Sequence, residues 1–384
     1  MTMRVRRRIR ISAVLVGALI SWSASLMAQG GGRIVPPTPY DEMTGEQLYN
    51  ASCANCHGVT GFGMPQAKLG FDTPPAQFAD CNFASREPDA DWIGVAHEGG
   101  PLRVFSHMMP AFGDALTEEQ LASVIRYVRT LCGDESWPRG DLNMPRPMFT
   151  EKAYPEDELV WTTEAALEGS GVVMNEIVYE KRLGTKNQVE LVVPFGFQQQ
   201  TMDGVEDWYS GLGDIVLGWK RVLFHSLGSG SIVSGAAEMK LPTGKEDRGF
   251  GSGTSVFETF VSYGQLLPVN SFVQLQAIVE LPFDTELAEN EAAVRITAGT
   301  TITQANWGRA WTPMVEVLAA RELESDGTIH WDVVPQFQVT LNKRQHIMAN
   351  LALRVPVNDT QARYPRLLIY FLWDWFDGGL TDGW

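Results

Sequence analysis

The chain has 384 residues, enough for two or three domains with cores of their own. Its formal net charge of −16 argues against nucleic acid as a partner. With 20% of residues charged and 10% aromatic, the composition is that of a globular or membrane protein, not of a disordered one.

The first residues read as an export signal over 1–28. Arg4, Arg6, Arg7, Arg8 and Arg10 form a positive region, Ile11 to Leu26 an apolar one, and Ala28 suits cleavage. A retained anchor is the alternative, but Ser21, Ser23 and Ser25 interrupt the apolar run. No later stretch has the roughly 18 consecutive apolar residues of a membrane helix, so a membrane-inserted mature chain would have to form a closed β-barrel.

After a Gly- and Pro-rich leader, Thr44-Gly45-Glu46-Gln47 forms a capping box that starts a helix. That helix should carry Cys53-Ala54-Asn55-Cys56-His57. Two thiols three positions apart fit the two vinyl groups of one haem, and the adjacent His becomes an axial ligand of the iron. A thioredoxin-like pair does not need the His, and a zinc site lacks its second Cys-x-x-Cys. Residues 58–80 are rich in Gly and Pro and should wrap the haem edge as loop. A second capping box, Thr117-Glu118-Glu119-Gln120, opens a helix with Leu121, Val124, Ile125, Val128 and Leu131 at helical spacing, stopped by Gly133.

Between about residues 41 and 133 the chain resembles class I cytochrome c. The motifs are the Cys53–His57 stretch and Met109-Pro110-Ala111-Phe112-Gly113 before the last helix. The resemblance implies an all-α domain holding one covalent haem c, with Cys53 and Cys56 as anchors and His57 as proximal ligand. It makes Met109 the expected distal ligand, a choice that raises the reduction potential relative to two histidines. Met108, His107, His97 and Met64 compete for that place. Export also favours a disulfide between the two remaining cysteines, Cys81 and Cys132, over a pair of free thiols.

Residues 134–170 contain Pro138, Pro145, Pro147 and Pro155 among polar residues and read as a partly extended linker, with Trp137 and Phe149 available for docking. From about 171 the period changes to two. Val294, Ile296 and Ala298 alternate with Arg295, Thr297 and Gly299, and Ile347, Ala349 and Leu351 with Met348, Asn350 and Ala352. About eleven such segments, each near ten residues, lie between Val172 and Phe376. They predict an antiparallel transmembrane barrel of about 12 strands over 171–384, apolar side to lipid and polar side to lumen. A soluble β-sandwich also alternates, but its strands are usually shorter. Arg221 falls on the lipid side of this register. Gly211-Leu212-Gly213-Asp214 and Leu241-Pro242-Thr243-Gly244-Lys245 weakly resemble outer-membrane proteins of the phenol-degradation transporter type. His225, His330 and His346 are scattered and form no ligand set.

The whole chain is similar to fused cytochrome–porins that oxidise extracellular iron, with a larger haem domain and a smaller barrel. The expected function is electron transfer through one haem anchored at the outer membrane, more that of an electron carrier than of an enzyme. A solute channel gated or sensed by a haem domain, and a soluble periplasmic oxidase with a β-sandwich, are the alternatives. Expected partners are redox proteins or small redox carriers, and outer-membrane lipid. A domain of about 100 residues, with a radius of gyration near 13 Å, cannot enter a narrow barrel, so the haem should lie at the mouth or outside. Even strand parity would leave it on the periplasmic side.

Overall fold

The computed structural model describes residues 39–71, 73–202, 205–324 and 327–384. The expected export signal lies outside them. Two units are distinguished, Met1–Glu42 and Met43–Trp384. The described part of the first is a single 3₁₀ turn at Tyr40–Glu42. The second comprises a helical domain, a plug and a closed β-barrel.

The helical domain is built on the crossing of α1 (Gly45–Ser52) and α6 (Glu118–Thr130). Both helices start at the expected capping boxes: Gln47 N donates to Thr44 Oγ1 at 3.3 Å, and Gln120 N to Thr117 Oγ1 at 3.2 Å. Leu48 and Tyr49 pack against Leu121, Val124 and Val128 in the buried core. The helices meet at Gly45, where an added Cβ would lie 2.1 Å from the Ser123 carbonyl oxygen. Between them run α2 (Ala54–His57), α3 (Gln66–Leu69), α4 (Cys81–Ala84) and α5 (Asp89–Glu98).

The barrel is one antiparallel sheet of β1 (Glu158–Ala166), β2 (Val172–Leu183), β3 (Asn187–Met202), β4 (Val205–Leu212), β5 (Ile215–Ser226), β6 (Ser231–Leu241), β7 (Val256–Leu267), β8 (Ser271–Pro282), β9 (Glu291–Thr300), β10 (Ile302–Thr303), β11 (Ala310–Glu322), β12 (His330–Thr340), β13 (Ile347–Pro356) and β14 (Arg366–Asp374). β3 pairs with both β4 and β5, and β11 with both β9 and β10, so each of those two successions forms one stave. The result is a closed barrel of 12 strands. Closure is made by β1 against β14, from Glu158↔Asp374 to Ala166↔Arg366.

Side chains alternate across every stave. Trp161, Ile177, Leu217, Val294, Leu351 and Phe371 are exposed on the outside, while Glu180, Gln188, Ser262, Thr297, Glu316 and Asn350 are buried within. An apolar exterior around a polar interior is the arrangement a bilayer requires, since the closed ladder leaves no backbone edge in lipid. Arg221 does point outward, but it pairs with Asn187, the first residue of β3, and donates to its Oδ1 at 2.8 Å. It therefore sits at the barrel rim, where a long cationic side chain can reach water.

The segment expected to be a linker, 134–170, is not one. Its last part is β1, the stave that closes the barrel. Its middle forms a plug inside the lumen, entering at the end from which β1 begins and turning back near mid-barrel. Arg146 donates to Glu158 at 2.6 Å and Glu180 at 2.9 Å. At the turn, Glu316 accepts from the amides of Met148 (3.0 Å), Phe149 (3.1 Å) and Thr150 (2.8 Å), and from Gln336 at 2.6 Å. On the way back, Lys220 Nζ donates to the Lys152 carbonyl at 2.9 Å, and Glu156 N to Gln188 at 2.7 Å. Nearer the entrance, Leu142, Met144 and Tyr154 join Val222, Ile232, Phe272 and Met314 in one apolar cluster. The prolines deny this segment helix and ladder bonding, and the lumenal side chains accept its backbone instead.

Glu316→Ala would strand three plug amides, each at about 1–3 kcal/mol if left dry. Planar-bilayer recordings should show the variant conducting small ions several times better than the parent protein. Equal conductance would mean that the plug is held without Glu316.

Candidate haem site and its seat on the barrel

The Cys53–His57 stretch spans the end of α1 and all of α2. Tyr49, fully buried, donates its hydroxyl to the Gly58 carbonyl at 2.6 Å and so pins the far end of α2 to α1. Gly58 then turns the chain with φ +73°, a region open to glycine. Cys53 and Cys56 are half-buried and unpaired, while Cys81 and Cys132 are joined in a disulfide between α4 and the end of α6. Burial, and then the neighbouring Cys56, push the Cys53 thiol up to about 11, so it stays protonated at neutral pH.

His57 is oriented from two sides. Its ring stacks on Phe78 with centroids 4.4 Å apart, and Nδ1 lies 3.2 Å from the Ala76 carbonyl oxygen. A carbonyl can only accept, so Nδ1 carries the proton and Nε2 is left with its lone pair. Burial lowers the His57 pKa, against the Ala76 hydrogen bond, which acts to raise it. A ring with its Nε2 lone pair free is the form in which imidazole binds iron, and the Ala76 carbonyl fixes that tautomer. Val59 and Phe62, just after His57 in the chain, remain exposed, as does Met108. These residues fit a covalent haem. Cys53 and Cys56 would hold it and His57 would ligate it, and the haem would supply one-electron redox chemistry.

Met109 is half-buried in a tight loop. Its amide donates to the Ser106 carbonyl at 3.1 Å, and its own carbonyl accepts from Gly100 N at 3.1 Å. The loop then runs beside the end of α5, with Phe112 N donating to Ala96 O and Gly113 N to His97 O, both at 3.0 Å. Of the competing ligands, Met108 and His107 are exposed and Met64 is half-buried. His97 is engaged elsewhere, with Nδ1 2.8 Å from Glu98 and the ring centroid 4.5 Å from that of Trp307.

Trp307 belongs to the barrel turn after β10, and around it the helical domain is seated. Arg103 donates to the Trp307 carbonyl at 2.8 Å, and Gly94 allows the indole close approach: an added Cβ would lie 2.7 Å from it. From the turn after β12, Arg344 donates to the Val104 carbonyl at 3.2 Å and lies over the Phe105 ring at 4.8 Å. The plug adds two ties. Tyr154 donates to the Ser85 carbonyl at 2.7 Å, and Arg86 pairs with Asp157 just before β1. A cavity of about 160 Å³ remains at this junction, with Arg86, Asp91, Lys152 and Arg344 in its wall.

Sequence reasoning identified the cysteines and His57 as candidates but not Ala76, Phe78, Trp307 or Arg103. The first two lie in a loop with no period, and the last two are joined across 204 positions of sequence. Only the charge of Arg146 and Lys152 among the prolines of the supposed linker hinted that this stretch is held by acids.

Residues 41–128 match the family model described as cytochrome c oxidase, cbb3-type, subunit III. This is a cytochrome c domain, whose chemistry is haem-based electron transfer; the match covers less than half of the chain and bears on that domain alone. No curated protein matches the chain. Among solved structures, an outer membrane channel from Pseudomonas putida F1 is similar at 12% identity with a TM-score of 0.42, covering 60% of this chain and 99% of that one. The KdgM porin is similar at 6% identity and a TM-score of 0.37, covering 56% of this chain and 98% of its own. The beta domain of the Bordetella autotransporter BrkA is similar at 12% and 0.37, covering 57% and 100%. The barrel reading rests on the closed strand pairing, not on these distant likenesses.

The Cys81–Cys132 bond, at a sequence separation of 51, should contribute about 3–5 kcal/mol by restricting the unfolded chain. The double variant C81S/C132S should unfold its helical domain at distinctly lower temperature, followed by the visible haem spectrum. An unchanged melting point would show that the α1–α6 crossing alone sustains the domain.

Proposed function

We propose that the protein is a monohaem electron carrier fixed at the periplasmic mouth of an outer-membrane barrel. The observation that carries this reading is the setting of His57: bonded through Nδ1 to the Ala76 carbonyl, stacked on Phe78, and adjacent to two unpaired thiols. Cys53 and Cys56 bind the haem covalently, His57 is the proximal ligand and Met109 the distal one. The tight bonding of the loop around Met109 supports its choice over the exposed Met108 and His107.

The ends of the barrel support the orientation. On the side of the helical domain, strands are joined by 184–186, 227–230, 268–270, 304–309 and 341–346, none longer than six residues. On the other side the connections include the longer 242–255, 283–290 and 357–365. Bacterial barrels keep short turns in the periplasm and longer loops outside. The helical domain precedes β1 at the short-turn end, so it faces the periplasm.

The plug disfavours the reading as an open solute channel, because the inner half of the lumen is occupied by chain bonded to the wall. One haem also cannot bridge a hydrocarbon core about 30 Å thick. Electrons therefore pass to and from periplasmic partners, redox proteins or small carriers, with the barrel as anchor in outer-membrane lipid.

Met109→Ala should abolish any sulfur-to-iron absorption band of the oxidised protein and lower its potential. If both persist while His107→Ala alters them, His107 is the ligand. In intact cells, external protease should leave the helical domain untouched and cut it only after the outer membrane is permeabilised. Cleavage in intact cells would reverse the orientation.

A further inference from the structure

The plug and the barrel wall bring together three carboxylates that belong to neither the haem site nor its seat. Glu151 comes from the plug, Glu180 from β2 and Glu190 from β3, and one oxygen of each lies within 4.8 Å of the others. Arg146 takes only part of this charge. It binds Oε1 of Glu151 at 3.2 Å and Oε1 of Glu180 at 2.9 Å, and is shared with Glu158. Lys220 approaches Glu151 no closer than 4.0 Å, and Glu190 forms no ion pair among the described residues.

The remaining oxygens are what a ligand would use. Oε2 of Glu151 and Oε2 of Glu180 are buried and meet no N–H donor, and the Glu180 side chain, 0% exposed, has the Glu190 carboxyl facing it within hydrogen-bonding reach. A wholly buried carboxylate with an orphaned oxygen is costly unless something positive meets it. A second acidic triad in the same lumen, Glu156, Glu158 and Asp374, meets that need differently. Lys152 bonds two of its members, Glu156 and Glu158 at 3.3 Å, so an ammonium already occupies it. In the first triad the nearest ammonium, Lys220, stands 4.0 Å from Oε2 of Glu151 and donates instead to the Lys152 carbonyl at 2.9 Å.

We propose that Glu151, Glu180 and Glu190 bind a hard divalent cation of the calcium class. Oε2 of Glu151, Oε2 of Glu180 and the Glu190 carboxylate are its protein ligands. Anionic oxygens alone suit such an ion, and calcium accepts more varied carboxylate geometry than magnesium, which demands a strict octahedron. One ligand stands on the plug and two on adjacent staves, so the ion fastens the plug to the wall. Its removal weakens the closure of the lumen without touching the haem.

The test uses the full-length, haem-loaded protein in detergent, stripped with chelator and dialysed. Calcium titrated by calorimetry should bind with one site lost in Glu190→Gln, whose affinity there falls at least roughly tenfold. Calcium should also raise the temperature of barrel unfolding, read by gel mobility, in the parent protein but not in the variant. Glu151→Gln, which removes the plug's own ligand, should behave alike and serves if Glu190→Gln fails to fold. Identical calcium binding in the parent and the variants would overturn the proposal. So would a metal-free Glu190→Gln protein as stable as the calcium-loaded parent, because a shared proton would then neutralise the triad.

Discussion

A sheet that spans lipid cannot leave an edge unpaired, and here the pairing of β1 with β14 meets that demand. Each backbone group on an open edge would cost several kcal/mol in hydrocarbon. The chain must therefore place its first stave beside its last, and both must reach the same end of the barrel. The helical domain and the plug, which precede Glu158, are therefore delivered to that end. The helical domain cannot lie elsewhere, because the plug spends its length running into the lumen and back again.

The closed wall sets a second requirement. Its interior side chains are polar, and in a barrel of this size they need partners other than each other. The plug supplies them as backbone groups. Glu316 collects three amides, while Gln274 and Arg295 donate to the carbonyls of Pro145 and Phe149. Prolines suit such a strand because they forbid the regular structures that would use those groups internally. Plug and wall are thus complementary: each would be an unsatisfied polar surface without the other. Such networks specify one arrangement when every member is bonded.

How far this could be read from the sequence follows from the range of the interactions. Capping boxes, the Cys-x-x-Cys-His spacing and dyad alternation act within a few residues, and they point to the two helices, the thiols and the staves. Eleven staves lie beyond residue 171, as the alternation indicated; the twelfth was hidden. Glu158 to Ala166 reads Leu159, Trp161, Thr163 and Ala165 outward against Glu158, Val160, Thr162 and Glu164 inward. The outer row ends weakly apolar and the inner row begins with a buried ion pair, so the period blurs. The plug is hard to tell from a linker for a related reason. Proline, glycine and charge describe a solvated linker and a lumenal strand equally well, and only contacts such as Glu316 with Met148, 168 positions apart, separate the two.

The same contacts tie the helical domain to the plug more closely than to the lipid-facing wall. Tyr154 and Asp157 hold the corner between α4 and α5 through Ser85 and Arg86, and the disulfide at Cys81 joins that corner to α6. Arg129 of α6 in turn lies 3.9 Å over the Trp92 ring and bonds Asp89 at 2.8 Å. Phe78 links Trp92 to His57, with ring centroids at 5.3 and 4.4 Å. A continuous set of packed groups therefore runs from the lumenal strand to the imidazole. A shift of the plug at Tyr154 would have to be absorbed somewhere along it, because close-packed interiors transmit strain instead of dissipating it. The plug is thus at once the filling of the barrel and the footing of the site that holds His57.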